Sequence, residues 1–281
     1  MDKQVSEIYQ KINKLNGLFS IDAYYFFVSL NQVFQYKLIS ILEIGVFCGK
    51  SLIGLASAFP LANKIVGVDP FFENFHNSFA LKGEAEELIS ASGNMTPKQR
   101  LSKLHKVAKI ISKIFSNNIQ EKIVIHKTTQ EQYLKLRKQS PEFSIIHVDG
   151  EHSYNAVKDL LDNLPSILKP GGIIIIDDIL NIGFPGIAEA LFRHHNYKKT
   201  LFPLVYAFNK GVFIYKSAKF FRQNILEKIT EIYNSSDYNI RVLHDNSLMI
   251  YNNQFNNNKK IDTDSISIFN KFFRIIRNLF V

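Results

Sequence analysis

The stretch Leu42-Glu43-Ile44-Gly45-Val46-Phe47-Cys48-Gly49-Lys50-Ser51 decides the fold. An apolar run from Leu38 to Ile44 stops at two closely spaced glycines, and a second apolar stretch follows them. That pattern reads as a buried strand, a tight turn and the first turn of a helix. It then recurs. Lys64 to Val68 stops at Asp69, Lys122 to His126 at Thr128-Thr129-Gln130, Ser144 to Val148 at Asp149, and Ile173 to Ile176 at Asp177. Helical stretches separate these runs, which predicts parallel strands in a doubly wound α/β sheet with helices on both faces. Polar residues gather just past each strand, where open sheets of this kind bind ligands.

The 281 residues are 46% hydrophobic and 21% charged, an ordinary globular composition with room for one large domain or two small ones. No apolar run approaches the roughly eighteen residues of a bilayer span, and the start MDKQVSEIYQ lacks the apolar core of a secretory signal. A cytoplasmic protein is therefore expected. Cys48 is alone, so neither an intramolecular disulfide nor a multi-cysteine zinc site is available, and any metal would be held by oxygen and imidazole. A formal charge of +9 attracts nucleic acid, anionic lipid or acidic metabolites alike. The basic residues cluster at Lys98, Lys103, Lys106, Lys109 and Lys113 and near the C-terminus, with no stripe of interleaved aromatics, so no nucleic-acid partner is expected.

Residues 1–37 read as lead-in helices, with Ser20 capping Ile21 to Phe34. Residues 38–218 read as the main domain. It contains a long insertion, 71–118, in which Thr96-Pro97 starts an amphipathic helix running to Phe115; its Phe71 to Asn94 part is expected to border the site. Gly186 to His195 reads as a helix, and Lys199 to Ala207 and Val212 to Lys216 as a strand pair turning at Asn209-Lys210-Gly211. Residues 219–281 form a C-terminal extension, with an Asn-rich linker over 252–260 and an apolar-basic tail over 268–281.

The turn at Gly45 to Ser51 suits an anion at the helix start, because free N–H groups point there. A phosphate-binding loop needs four residues before Gly-Lys-Ser, and only Val46, Phe47 and Cys48 intervene. The dinucleotide fingerprint is also absent. Glu43 repels a pyrophosphate but suits an ammonium group, while Gly49 to Ser51 suits a carboxylate. S-adenosylmethionine carries both. Asp69 is placed to accept from a ribose diol, against a plain turn or cap role before Pro70. Thr129 and Gln130 either contact an adenine edge or cap a helix.

Asp149-Gly150-Glu151-His152 and Asp177-Asp178 form the second constellation. If their strands are neighbours, three carboxylates meet and repel one another. A divalent cation, magnesium or manganese, resolves this with Asp149, Asp177 and Asp178 as ligands and His152 as general base. The alternative has Asp149 capping the next helix and His152 merely packing. His147, Cys48 and His194-His195 read as structural, and the phenylalanines and tyrosines mostly as core.

At these residues the sequence resembles class I S-adenosylmethionine-dependent methyltransferases, specifically cation-dependent O-methyltransferases and their macrocin-type sugar branch, over residues 20 to 216. The resemblance implies a seven-stranded Rossmann-like sheet with an antiparallel last strand. It implies cofactor contacts at Glu43, Gly45, Phe47, Gly49, Ser51, Asp69, Thr129, Gln130 and Asp149, a metal on Asp149, Asp177 and Asp178, and His152 in the position of the base. Where catechol-type members carry a glutamate that orients the second phenolic hydroxyl, this chain has Gly211. Their loop after the second strand is shorter than Phe71 to Asn118, so substrate choice is expected to lie in that insertion.

The expected activity is methyl transfer to a hydroxyl of a small molecule or sugar; the sequence leaves the oligomeric state open, a homodimer being compatible with it. Two rivals stand beside it. One is an NTPase reading Gly49-Lys50-Ser51 with Asp177. The other is a non-catalytic module held peripherally on membranes by the tail, where Phe269, Phe272, Phe273, Ile276 and Phe280 oppose Lys271, Arg274 and Arg277.

Overall fold

The computed structural model describes residues 3–34, 39–72, 89–115, 118–136, 141–194, 197–233, 237–243 and 246–251. Two helices lead in, α1 (Lys3–Ile12) and α2 (Ile21–Phe34). Ser20 caps α2, its hydroxyl oxygen accepting from the Ala23 N–H at 3.1 Å. The alternating part follows as β1 (Ser40–Ile44), α3 (Lys50–Ala58), β2 (Lys64–Val68), α4 (Pro97–Ile114), α5 (Ile119–Lys122), β3 (Ile123–His126), α6 (Gln130–Leu136), β4 (Phe143–Val148), α7 (Tyr154–Ile167), β5 (Leu168–Ile176) and α8 (Pro185–Arg193). Then come α9 (Tyr197–Thr200), β6 (Leu201–Ala207), β7 (Lys210–Tyr215), α10 (Lys219–Ile232), β8 (Tyr238–Leu243) and β9 (Asn246–Tyr251). Thr96 begins α4 with a reciprocal capping box to Gln99, as the Thr96-Pro97 pair predicts.

The sheet runs β3-β2-β1-β4-β5-β7-β6-β9-β8. Strands β1 to β5 are parallel, and β7 enters antiparallel between β5 and β6. The first seven strands thus have the expected mostly parallel arrangement with an antiparallel last strand, but the sheet has nine strands instead of seven. The extra two come from the C-terminal extension, whose β9 pairs with β6 at Val205↔Met249 and Tyr206↔Ile250. β8 and β9 therefore build onto the main sheet. The linker over 252–260 and the tail over 268–281 lie outside the described residues. Among the described residues no helix is long and apolar enough to cross a membrane.

Side chains alternate across the strands, and the two faces hold two cores. Ile41, Ile65, Ile145, Ile173 and Ile175 face α1, α2, α3, α4 and α10, while Leu42, Ile44, Val66, Ile146, Ile174 and Ile176 face α7 and α8. Residues buried on both faces explain the near-continuous apolar runs of the sequence.

The β6–β7 turn differs from its expected position. Phe208 and Asn209 both have positive φ, 52° and 65°, and make the two-residue turn themselves, which places Lys210 and Gly211 inside β7. Asparagine tolerates the left-handed region, and the flanking ladder holds Phe208 there.

Candidate active site

The strand ends lock together one residue past each strand. Gly45 N–H donates to Val68 O at 2.9 Å, Asp149 N–H to Ile44 O at 2.8 Å, Asp177 N–H to Val148 O at 2.9 Å, and Asp69 N–H to His126 O at 3.1 Å. Gly45 and the three aspartates that end separate runs of sequence are thereby held along one edge, across the β1–β4 boundary where the strand order reverses. A cavity of about 790 Å³ opens there, within the roughly 300–1,000 Å³ usual for small-molecule sites. Gly45, Phe47, Ser51, Asp69, Thr129, Gln130, Asp149, His152, Asp177 and Asp178 all line it.

Two expected cofactor residues do not. Glu43 shares the strand face of Ile41 and is fully buried beneath α2, with its Oε1 2.8 Å from His147 Nδ1 on the adjoining β4. Phe27 of α2 covers the imidazole edge-on at 5.5 Å. Glu43 does not itself line the cavity, but its carboxyl interacts with Ser51, Asp149, Lys210 and Asp69, which do. Burial raises the Glu43 carboxyl well above its usual range and lowers His147 to about 3, leaving the imidazole neutral. Gly49, with φ +80°, is required for packing: a Cβ there would lie 2.1 Å from Leu104 Cδ1 of α4. Gly45 serves another close approach, since its added Cβ would sit 1.9 Å from the Asp149 carbonyl oxygen.

Asp69 is held by the turn it follows. Its Oδ2 accepts from Val46 N–H at 3.0 Å and Phe47 N–H at 2.7 Å, and its Oδ1 from Phe71 N–H at 2.6 Å. Burial still leaves its carboxyl above the ordinary value, against these N–H groups and Arg100. The sequence reading passed over Arg100. It reaches in from α4, is 1% exposed, donates from Nη2 to Phe72 O at 2.8 Å, and lies over the rings of Phe47 and Phe71 at 5.8 and 5.5 Å. Arg100 of α4 therefore braces the glycine turn. Thr129 takes the capping role, its hydroxyl oxygen accepting from Gln132 N–H at 3.2 Å. Gln130 donates from Nε2 to Ala156 O at 2.7 Å and keeps its carboxamide oxygen for a ligand.

Ser153, not Asp149, caps α7, accepting from Ala156 N–H at 3.2 Å. Asp149 is thereby left to the cavity. His152 sits with Nε2 3.8 Å from Asp149 Oδ1 and 3.6 Å from Asp178 Oδ2, its ring 4.2 Å from that of Phe184. Burial and the neighbouring Asp177 raise the Asp149 carboxyl.

Lys210 is the largest departure from expectation. Its ammonium, 5% exposed, pairs with Asp177, and Asn209 donates to Asp178 Oδ1 beside Asn181 at 3.1 Å. Burial alone would raise Asp177, but Lys210 draws it below the usual carboxylate value. Gly211, which stands where catechol-type members carry a glutamate, lies in β7 and pairs with Ile176, and its neighbour Lys210 enters the site.

The three aspartates expected to hold a metal are divided between two groups that share Asp149. Among the described residues, the ligand atoms that approach within 4.8 Å form two groups, His147–Asp149–Asp177 and Asp149–His152–Asp178; neither holds all three aspartates. The first already carries Lys210 on Asp177, and the second would consume the expected base. Lys50, which the NTPase reading needs on a phosphate, donates to the Gly17 carbonyl at 3.2 Å.

Residues 42–179 match a family model described as Methyltransferase domain. This part of the chain is a methyltransferase domain. The methyltransferase is similar to a solved calicheamicin methyltransferase, at 18% identity over 77% of this chain and 95% of that one, with a TM-score of 0.49. It is similar to an O-methyltransferase of Streptomyces achromogenes involved in tomaymycin synthesis, solved with SAM, at 16% identity over 77% and 91% of the two chains, TM-score 0.46. An O-methyltransferase from Bacillus cereus solved with SAH gives 16%, 76%, 91% and 0.45. A comparison with curated proteins finds no match.

Proposed function

We propose that the methyltransferase moves the methyl group of S-adenosylmethionine to a hydroxyl oxygen of a small molecule or sugar, with His152 as general base. The observation that carries this is the single cavity bordered by both Asp69 and His152. The residues fit the donor. A carboxylate offers about four lone-pair sites, and Asp69 uses three on backbone N–H groups, so a ribose hydroxyl can still be accepted. The Gln130 oxygen suits an adenine amine, and Ser51 opens the helix at the carboxylate end.

When bound, S-adenosylmethionine supplies a methyl carbon activated by its positive sulfur. The acceptor oxygen forms a bond to that carbon as the carbon–sulfur bond breaks, and the thioether leaves with the electron pair. His152 takes the hydroxyl proton, and the resulting imidazolium rests between Asp149 and Asp178. Phe19, Phe184 and Phe208 also line the cavity and give it apolar surface that limits water and orients the substrate for in-line attack. The magnesium or manganese that the resemblance implies would need a donor set that Lys210 and His152 already occupy.

Calorimetric titration with S-adenosylhomocysteine tests the donor half. Binding is expected for the native chain and a loss of at least about 100-fold for Asp69→Asn, near 2.7 kcal/mol. Tritium transfer from labelled S-adenosylmethionine to a panel of hydroxylated compounds tests the other half, with His152→Ala expected to lower turnover about 100-fold or more without weakening S-adenosylhomocysteine binding. Stabilisation by ATP-magnesium with none by S-adenosylhomocysteine would overturn the assignment.

A further inference from the structure

The acidic cluster contains its own cation. Lys210 stands at the first position of β7, directly after the Phe208–Asn209 turn. Because β7 runs antiparallel beside β5 with Gly211 opposite Ile176, the lysine overhangs the end of β5, where its ammonium meets the Asp177 carboxylate. Asn209 and Asn181 turn their amides onto Asp178, and His152 sits between Asp178 and Asp149. Every one of the three carboxylates that could bind a metal thus faces a donor belonging to the chain.

We propose that Lys210 stands in place of a divalent metal ion in this site, so that this chain supports methyl transfer without one. The proposal rests on the methyltransferase reading of the same cavity. A buried ammonium is retained when it is paired, and Lys210 is paired within an enclosed site. A divalent ion set against Asp149 and Asp177 would face this fixed positive charge at close range, and the repulsion is strong where water is excluded. The positive charge is conserved during turnover: the sulfonium's charge passes to the imidazolium of His152 as the methyl group moves, while Lys210 stays charged throughout beside Asp149, Asp177 and Asp178. Lys210 is a positioning residue. It holds Asp177 in place and supplies the fixed charge, and the proton still goes to His152.

Manganese binding, read from loss of the free-ion electron paramagnetic resonance signal, tests this on the full chain saturated with S-adenosylhomocysteine. The native protein and Lys210→Arg are expected to leave the signal intact. Lys210→Met is expected to bind manganese at least tenfold more tightly, a gain that mere loosening of the fold would not produce. Once an acceptor is identified, native turnover is expected to persist in chelator, and Lys210→Met to require manganese. Tight manganese binding by the native protein, or native turnover lost in chelator and restored by the ion, overturns the proposal even if Lys210→Met fails to fold. Failure of S-adenosylhomocysteine to stabilise the native chain would instead overturn the methyltransferase reading itself.

Discussion

Asp69 and Asp177 occupy equivalent places in the fold, each one residue beyond a parallel strand and hydrogen-bonded through its own N–H to the next strand. Their carboxylates are satisfied in opposite ways. Asp69 accepts three backbone N–H groups, two from the glycine turn and one from its own loop. Asp177 takes the N–H of Asp178 at 2.9 Å and a full positive charge from a hairpin 33 residues further on. Backbone donors fix direction without adding charge, so burial keeps the Asp69 carboxyl high; an ammonium adds charge, and Asp177 falls below the ordinary value. One end of the cavity is therefore held by local geometry and the other by long-range electrostatics.

Gly45 joins the two ends, and breaking that seam should have the largest effect. Gly45→Ala places a methyl group 1.9 Å from the Asp149 carbonyl oxygen and forces φ +89° on an alanine. Two backbones must part, at a cost of about 3–5 kcal/mol. Gly171→Ala is the control: its φ is +78°, but no atom lies within 4 Å of the added Cβ, so only the left-handed strain of about 1–2 kcal/mol remains. Urea unfolding followed by circular dichroism reads both. Equal losses would mean that the close approach at Gly45 is not felt.

The independence of the two ends gives the next test. Arg100→Met removes the guanidinium that ties α4 to Phe72 O and covers Phe47 and Phe71. S-adenosylhomocysteine affinity should fall about tenfold, or 1.4 kcal/mol, because the loops presenting Asp69 lose their brace. Lys210→Met should leave the same affinity within about twofold. Matching losses in calorimetry would show the ends to be coupled.

This contrast also decides what was legible in the sequence. The Gly45 turn, Asp69, Asp149 and His152 announce themselves because strand ends and turns are local patterns, and the ladder carries them to one edge. Glu43 stands next to the motif, but its strand position buries it beneath α2 instead of placing it on the cavity lining. Lys210 and Arg100 were missed because their roles are tertiary. Nothing in Asn209-Lys210-Gly211 distinguishes a turn lysine from a strand lysine until β7 is registered against β5, and Arg100 resembles its basic neighbours on α4 until the buried side of that helix is known. The clue available was modest: Arg100 lies at helical spacing with Leu104, Val107 and Ile111, all on the buried face of α4.

The smallest predicted effect concerns Glu43 and His147, buried together behind the cavity. Glu43 is raised above 4.5, so the folded state holds a proton that the unfolded chain has released, and this contribution to stability is lost as pH rises. His147 is lowered from 6.5 to about 3, so the unfolded chain takes up a proton that the folded state refuses, and its contribution is lost as pH falls. Between 4.5 and 6.5 the two slopes oppose each other. Above 6.5 only Glu43 acts, and below 4.5 mainly His147. Glu43→Gln keeps the shape and a hydrogen bond to Nδ1 but has no proton to lose. The variant should therefore gain stability relative to the native chain as pH rises above 4.5 through the range in which the native Glu43 keeps its proton, by at most about 1.4 kcal/mol per pH unit, while both lose stability alike in acid. Denaturant midpoints measured across that range decide the matter. A constant difference between the two proteins would mean that Glu43 is already ionised in the fold, and that the pair carries its charge beneath α2.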